Sequence, residues 1–520
     1  MQVDRERIVL DPFTIEDADV VDVRMDGHRV WSARIPYAED GEIALEWPDA
    51  LRARLSGVTS LTLTDSASGR ELDAKEVRFG RSRERVELVD ARGRWLAMTK
   101  WDRLGPVLEG REEIGHVLLE NARRLVEDLQ ADGHDVYIVG GTLLGIVRDG
   151  ALMAHDDDVD LAFYCRAENP IDVGLASYEM ERALLKRGHT VVRHSLAHLE
   201  IEFFNEDGEP DHYVDIFTGF FHEGLYCQPF ALRGPEVVAS DLVPVRSYEV
   251  DGVELPGPPN PQAWLNYAYG SSWRVPDPTF KFITPRETRM RFEGWFGVFN
   301  RGRVYWDKAY LEREKSVGFA DARGSIDAFL RDVPEGARIL DLGCGDGRWS
   351  AEIARRGHKV TAVDYSHEAL RLARANDTDD LVDFRYLNVN DTAALLEFGA
   401  RMLGTGDQWC ILAHHSAQAL PKPGRRNLYR FLDLVLRGQG FAELVNDATF
   451  SKHYQHSMPS TWHLPTEWLR EESAEFGFDM SVTRRRWRVD ARQIRRVETV
   501  RVRRGAVDPL MSTTDERKTA

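Results

Sequence analysis

The stretch Val139–Tyr164, "VGGTLLGIVRDGALMAHDDDVDLAFY", decides how the middle of this chain is read. Four aspartates, Asp156, Asp157, Asp158 and Asp160, fall within five positions, after a glycine pair and before an apolar run. Like charges side by side repel, so something positive is expected among them. Gly140 and Gly141 follow the apolar "VYIV"; they let the backbone turn sharply and let a phosphate approach main-chain N–H groups, and Thr142 adds a hydroxyl. Residues two apart in a strand share a face, so Asp158 and Asp160 project together, joined by Asp156 if the strand starts that early. Such an oxygen-rich set suits Mg²⁺ or Mn²⁺. Asp215, alone in the apolar "HYVDIFTGFF", is costly to bury unless paired or metal-bound. The set fits metal-assisted attack on a nucleotide phosphate. The plainer reading, an exposed acidic loop, leaves both the glycine pair and Asp215 unexplained.

The same stretch resembles the signature of the LicD-type and fukutin-type phosphotransferases, a branch of the nucleotidyltransferase fold. "YVDIF" resembles their third-aspartate strand, and "DLVPVRSYEVDGVELPGPPNPQAWLNYAYGSSWRVPDP" their closing segment. The resemblance implies metal ligation by Asp158, Asp160 and Asp215, with Asp156 a further ligand or an acceptor-side base. It implies phosphate contacts from Gly140, Gly141 and Thr142, and charge neutralisation by Arg148. The implied reaction moves a phospho-alcohol from a CDP-linked donor to a glycan or lipid-linked polysaccharide hydroxyl, releasing CMP. His155 stands where the family commonly has Trp, which bears on local packing or acceptor choice. A nucleotidyltransferase making an activated precursor would use the same carboxylates.

A second chemistry lies in "GARILDLGCGDGRWSAEIARRGHKVTAVDYSHEALRLARA". Gly343, Gly345 and Gly347 follow the strand "RILDL" and open a helix, which exposes backbone N–H groups at its N-terminus. The spacing is not the GxGxxG of dinucleotide-binding folds, so an NAD-binding half-domain is the weaker alternative. Asp364 ends the next strand, where a carboxylate can accept from both ribose hydroxyls. From Glu335 to Val482 the chain closely resembles the class I S-adenosylmethionine-dependent methyltransferases. That resemblance places Asp341 near the methionyl amino group, Gly343, Gly345 and Gly347 along the cofactor, Asp364 on ribose, and Asn388 or Asp391 at the adenine. His414 and His415 follow "WCILA" on the acceptor side; a neutral imidazole there suits general-base work, although paired histidines at a strand end also serve structural roles. His453, His456 and His463 read as part of a loop over the cofactor pocket.

These segments sit in a chain of 520 residues, too long for one core. The predicted architecture is multidomain α/β. Residues 1–100 alternate as an antiparallel, β-sandwich-like accessory domain; 105–285 form the nucleotidyltransferase-fold α/β domain; and an arginine-rich connector follows. Residues 300–504 form the Rossmann-like methyltransferase domain, and 505–520 a disordered tail. A formal net charge of −18 argues against a general nucleic-acid binder. The basic "TRRRWRVDARQIRRVETVRVRR" reads as two solvated edge strands. Four scattered cysteines and the absence of a signal-like or membrane-spanning run predict a cytoplasmic protein that meets a lipid-linked acceptor at the inner membrane face. The function expected is a bifunctional enzyme of surface-polysaccharide modification; the alternative is a methyltransferase with a non-catalytic scaffold domain.

Overall fold

The computed structural model describes the chain apart from residues 12, 14, 16–17, 37–42, 90–92, 94, 100–103, 107–111, 154–157, 206–209, 230–231, 278, 312–321, 491–492 and 506–520. It divides into two compact units, Met1–Gly297 and Val298–Ala520.

In the first unit, the strands His28–Arg34, Val20–Met25, Gly57–Asp65 and Glu71–Phe79 lie in that order as an antiparallel sheet. Asp26 and Gly27, both at positive φ, turn the first hairpin, as an Asp-Gly pair can. Gln2–Val3, Arg7–Leu10 and Ile43–Glu46 make a three-stranded sheet. Val21, Val23, Leu61, Leu63 and Trp47 belong to a core of their own. Among the described residues 85–89, Arg85 and Val89 make isolated bridges, Val58 with Arg85 and Val89 with Trp95.

The helix Glu112–Ala131 buries Leu118, Leu119, Ala122, Leu125, Val126 and Leu129, one stripe at helical spacing. Beyond it the strands Val136–Ile138, Asp158–Tyr164, Pro210–His222, His198–Phe204 and Thr190–Ser195 run side by side in that order. Only Asp158–Tyr164 and Pro210–His222 pair in parallel; the other neighbours are antiparallel. The expected arginine-rich connector is instead partly a helix, Arg286–Phe296. Its Phe292 and Phe296 are buried in the same core, and the Leu196 N–H donates to the Phe296 carbonyl at 2.9 Å. Two phenylalanines four residues apart give this polar helix one apolar edge, and burying that edge ties it to the unit.

The second unit holds a seven-stranded sheet. In spatial order its strands are Val382–Tyr386, Val360–Asp364, Arg338–Leu342, Trp409–His414, Ala442–Asp447, Gln493–Arg503 and Asp479–Asp490. The first five are parallel, and Gln493–Arg503 is antiparallel to both its neighbours. The basic C-terminal stretch is therefore not two edge strands. Only Asp479–Asp490 lies at the edge, and Gln493–Arg503 is interior, burying Val497, Val500 and Val502. Val500 and Val502, two apart on that strand, fill a core face, and its buried Arg495 pairs with buried Asp447 at 2.8 Å. Among the described residues, no helix is long and apolar enough to cross a membrane.

Candidate functional sites

Local geometry at the first glycine turn is set by one carboxylate. Val136–Ile138 ends in Val139, whose N–H donates to the Asp160 carbonyl at 2.9 Å. Gly140 then has φ +59°, and a Cβ there would lie 2.0 Å from Asp160 Oδ2. Only glycine fits. The Gly141 N–H, at the start of the helix Gly140–Asp149, donates to Asp160 Oδ2 at 2.9 Å, and Thr142 Oγ1 accepts from the Asp160 N–H at 2.9 Å. The turn thus grips Asp160 from side chain and backbone, at the positive end of a helix where an anion is favoured.

Parallel register sets Asp160 opposite Asp215 on the neighbouring strand. Antiparallel register sets Asp215 opposite Glu200 on the next. Asp158, Asp160 and Asp215 each offer an oxygen, and these oxygens lie within 4.8 Å of one another. Three carboxylates so close repel unless a cation or protons intervene, and an all-oxygen set suits a hard divalent cation. Asp156 and His155 lie outside the described residues. Arg148, in the last turn of the same helix, is held by Asp149, its Nη2 lying 2.7 Å from Oδ2.

Three residues that sequence reasoning passed over stand beside the aspartates. His198 is buried, and its Nε2 lies 2.8 Å from Asp215 Oδ1. Burial holds its ring neutral, with the pKa pushed down to about 3. His194 Nε2 lies 2.9 Å from Glu200 Oε2. The signal was present in "HLEIEFF", where His198, Glu200 and Glu202 recur at period 2 in an otherwise apolar strand, and all three are buried.

In the second unit, Arg338–Leu342 leads into Gly343, Gly345 and Gly347, all at positive φ. Asp364 closes this turn: its Oδ2 accepts from the Gly345 N–H at 2.9 Å and its Oδ1 from the Ser366 N–H at 2.9 Å. Burial pushes its pKa up. Asp341 accepts from Ser350 Oγ at 2.6 Å, and burial pushes its carboxyl up to about 7.

The helix Arg303–Leu311 supplies two groups with no motif to announce them. Asp307 accepts from Ser366 Oγ at 2.6 Å, and the Tyr310 hydroxyl crowds Gly345 so closely that a Cβ there would meet it at 2.5 Å. Asn388 donates to the Phe299 carbonyl at 2.9 Å, and Asp391 caps the helix Thr392–Gly404 by accepting from the Ala393 and Ala394 N–H groups. The residues expected at the adenine thus hold the connector and a helix end. His414 is half-buried with its ring 4.2 Å from Trp349, and desolvation keeps it neutral. His415 sits at φ +58° beside Gln418, which bonds Asp447.

Two strand-to-helix glycine turns, each gripping an aspartate, mark an α/β protein whose second unit has the Rossmann-like methyltransferase fold. The comparisons make this specific. Residues 133–260 match the family described as LicD/FKTN/FKRP, nucleotidyltransferase domain, and residues 339–439 match the family described as methyltransferase domain, so the chain carries a LicD domain and a class I methyltransferase domain. The ubiquinone biosynthesis O-methyltransferase of Xanthomonas axonopodis pv. citri (strain 306) is 44% identical over 63 residues, covering 12% of this chain and 26% of that protein. That of Xanthomonas euvesicatoria pv. vesicatoria (strain 85-10) is 44% identical over 61 residues, 11% of this chain and 26% of that protein. The chain therefore spans about a quarter of the length of the curated relatives it matches. A SAM-dependent methyltransferase structure from Anabaena variabilis ATCC 29413 aligns at 14% identity and TM-score 0.34, covering 39% of this chain and 94% of that one.

Proposed function

We propose that the chain is a bifunctional enzyme. Its LicD domain transfers a phospho-alcohol from a CDP-linked donor to a glycan hydroxyl, and its methyltransferase domain methylates the product or the same glycan from S-adenosylmethionine. The observation that carries the first half is the convergence of Asp158, Asp160 and Asp215 on two parallel strands beside a glycine-started helix. These three would hold Mg²⁺ or Mn²⁺, which supplies neutralisation of the diphosphate's charge. The chain's own part is preorganisation: the Gly141 N–H and Thr142 Oγ1 fix Asp160 before any nucleotide arrives. Gly140 gives the backbone its close approach to phosphate, Arg148 offsets charge on the leaving group once released from Asp149, and Asp156 serves the acceptor hydroxyl.

For the second half, Asp364 binds ribose. Its oxygens each accept one backbone N–H, and a carboxylate oxygen has a second lone pair for a hydroxyl. Gly343, Gly345 and Gly347 line the cofactor, Asp341 meets the methionyl ammonium, and neutral His414 faces the acceptor as a base. The four cysteines are all free thiols, which supports a reducing, cytoplasmic setting at the inner membrane face. The N-terminal sheets serve as an accessory domain.

The test is product analysis. Wild-type protein with Mn²⁺, a panel of CDP-linked alcohols and a glycan acceptor is expected to release CMP, and D158N/D160N protein is not. Pyrophosphate from CTP and an alcohol phosphate, without CMP, would instead establish precursor synthesis.

A further inference from the structure

The aspartates of the carboxylate cluster do not stand alone: His194, His198 and Glu200 lie beside them. His198 faces Phe217 across the strand pair, with the rings stacked at 4.5 Å between centroids and 18° between planes. From the neighbouring strand on the other side, His194 stacks on the same imidazole at 4.4 Å and 19°. His198 is therefore sandwiched, and the sandwich fixes its plane. Its in-plane Nε2 meets Asp215 Oδ1 at 2.8 Å. Beyond it, His194 Nε2 meets Glu200 Oε2 at 2.9 Å, so the carboxylate register-paired with Asp215 already has a partner.

His194, His198 and Asp215 also bring ligand atoms within 4.8 Å of one another, which raises a separate two-histidine cation site. The stacking speaks against it. Imidazole lone pairs lie in the ring plane, and two nearly parallel rings stacked at this distance aim them along nearly parallel lines, which do not converge on one ion. A histidine bonded to a ligating carboxylate is instead the usual way in which surrounding groups orient a ligand.

We propose that His198 is a positioning residue of the cation site: its Nε2–H holds Asp215 Oδ1, which assigns Oδ2 to the cation, and His194 with Phe217 locks the ring that does so. The inference rests on the reading of Asp158, Asp160 and Asp215 as cation ligands. It adds a polar group that acts through Asp215 and touches neither nucleotide nor acceptor.

The experiment is calorimetric titration of Mn²⁺ into full-length protein saturated with CDP, for wild type, H198F and H198Q, with melting curves alongside. Phenylalanine keeps the stack and removes the donor; glutamine restores an N–H near the position of Nε2. H198F is expected to weaken Mn²⁺ about 10- to 100-fold, in the range seen when such supporting bonds are lost, with H198Q recovering most of it. Equal affinities in wild type and H198F, or equal losses in H198F and H198Q, would overturn the proposal. Wild-type protein that binds no Mn²⁺ would instead remove the reading of the aspartates on which it rests.

Should H198F fail to fold, ¹⁵N-histidine spectra of the wild type decide. A His198 Nε2–H proton retained with Mg²⁺ and CDP bound supports the proposal. Loss of that proton on Mg²⁺ addition means that the ring itself ligates, and overturns it.

Discussion

Gly140 and Asp160 are mutually exclusive with any other pairing at the first turn, because the carboxylate occupies the place a Cβ would take. G140A is expected to lose Mn²⁺-dependent nucleotide binding and to destabilise the protein by more than about 1 kcal/mol, since alanine is also strained at positive φ; calorimetry and denaturant melts measure the two. Asp341 gives a pH signature. Burial raises its carboxyl to about 7, so the folded apo protein holds a proton there that the unfolded chain releases near pH 4. Stability from this group is therefore greatest below about pH 4 and declines as pH rises toward 7. A methionyl ammonium favours the ionised form, so S-adenosylmethionine binding at pH 6 is expected to release a proton. Titrations in buffers of different ionisation enthalpy read this out, and D341N is expected to abolish it.

At the scale of elements, strand register does what sequence spacing could not announce. The DxD stretch and its glycine pair were legible because two residues apart in one strand share a face, a rule local to the chain. Asp215 stood out because it interrupts an apolar strand. That Glu200 and His198 join them depends on which strand lies beside which, and no spacing within "HLEIEFF" states that. Asp307 and Tyr310 lie on a helix before the methyltransferase motif, outside every periodic signal that marks the glycine turn. The C-terminal strands were misread for a related reason: alternating arginine and valine looks like an edge, yet the interior strand buries its arginine against Asp447. Both side chains are almost fully buried. R495L alone is expected to destabilise by about 3 kcal/mol, because it strips a buried carboxylate of a main partner, while D447L/R495L recovers much of the loss. Denaturant unfolding checks both.

At the scale of the whole molecule, the chain holds two units, and each unit carries its own glycine turn and aspartate. Changes at one turn are therefore expected to stay local. D364A is expected to abolish S-adenosylmethionine binding and to leave CDP binding within about twofold, and D158N/D160N to do the reverse, as additivity predicts for independent sites. Loss of both ligands in either variant would mean that the units fold or act as one. The two-domain plan was readable because each motif is self-contained. The helix Arg286–Phe296 was not, because it hides two core phenylalanines in a polar, arginine-rich stretch.

On the proposed reading, Asp158, Asp160 and Asp215 gather to hold a divalent cation against a nucleotide diphosphate. The most direct measurement is calorimetric titration of CDP into wild-type and D158N/D160N protein, with Mn²⁺ and with chelator. Binding that requires the metal and vanishes in the double variant is the predicted result. Binding that is absent throughout, or equal without metal and in the variant, would mean that these aspartates are not a metal–nucleotide site.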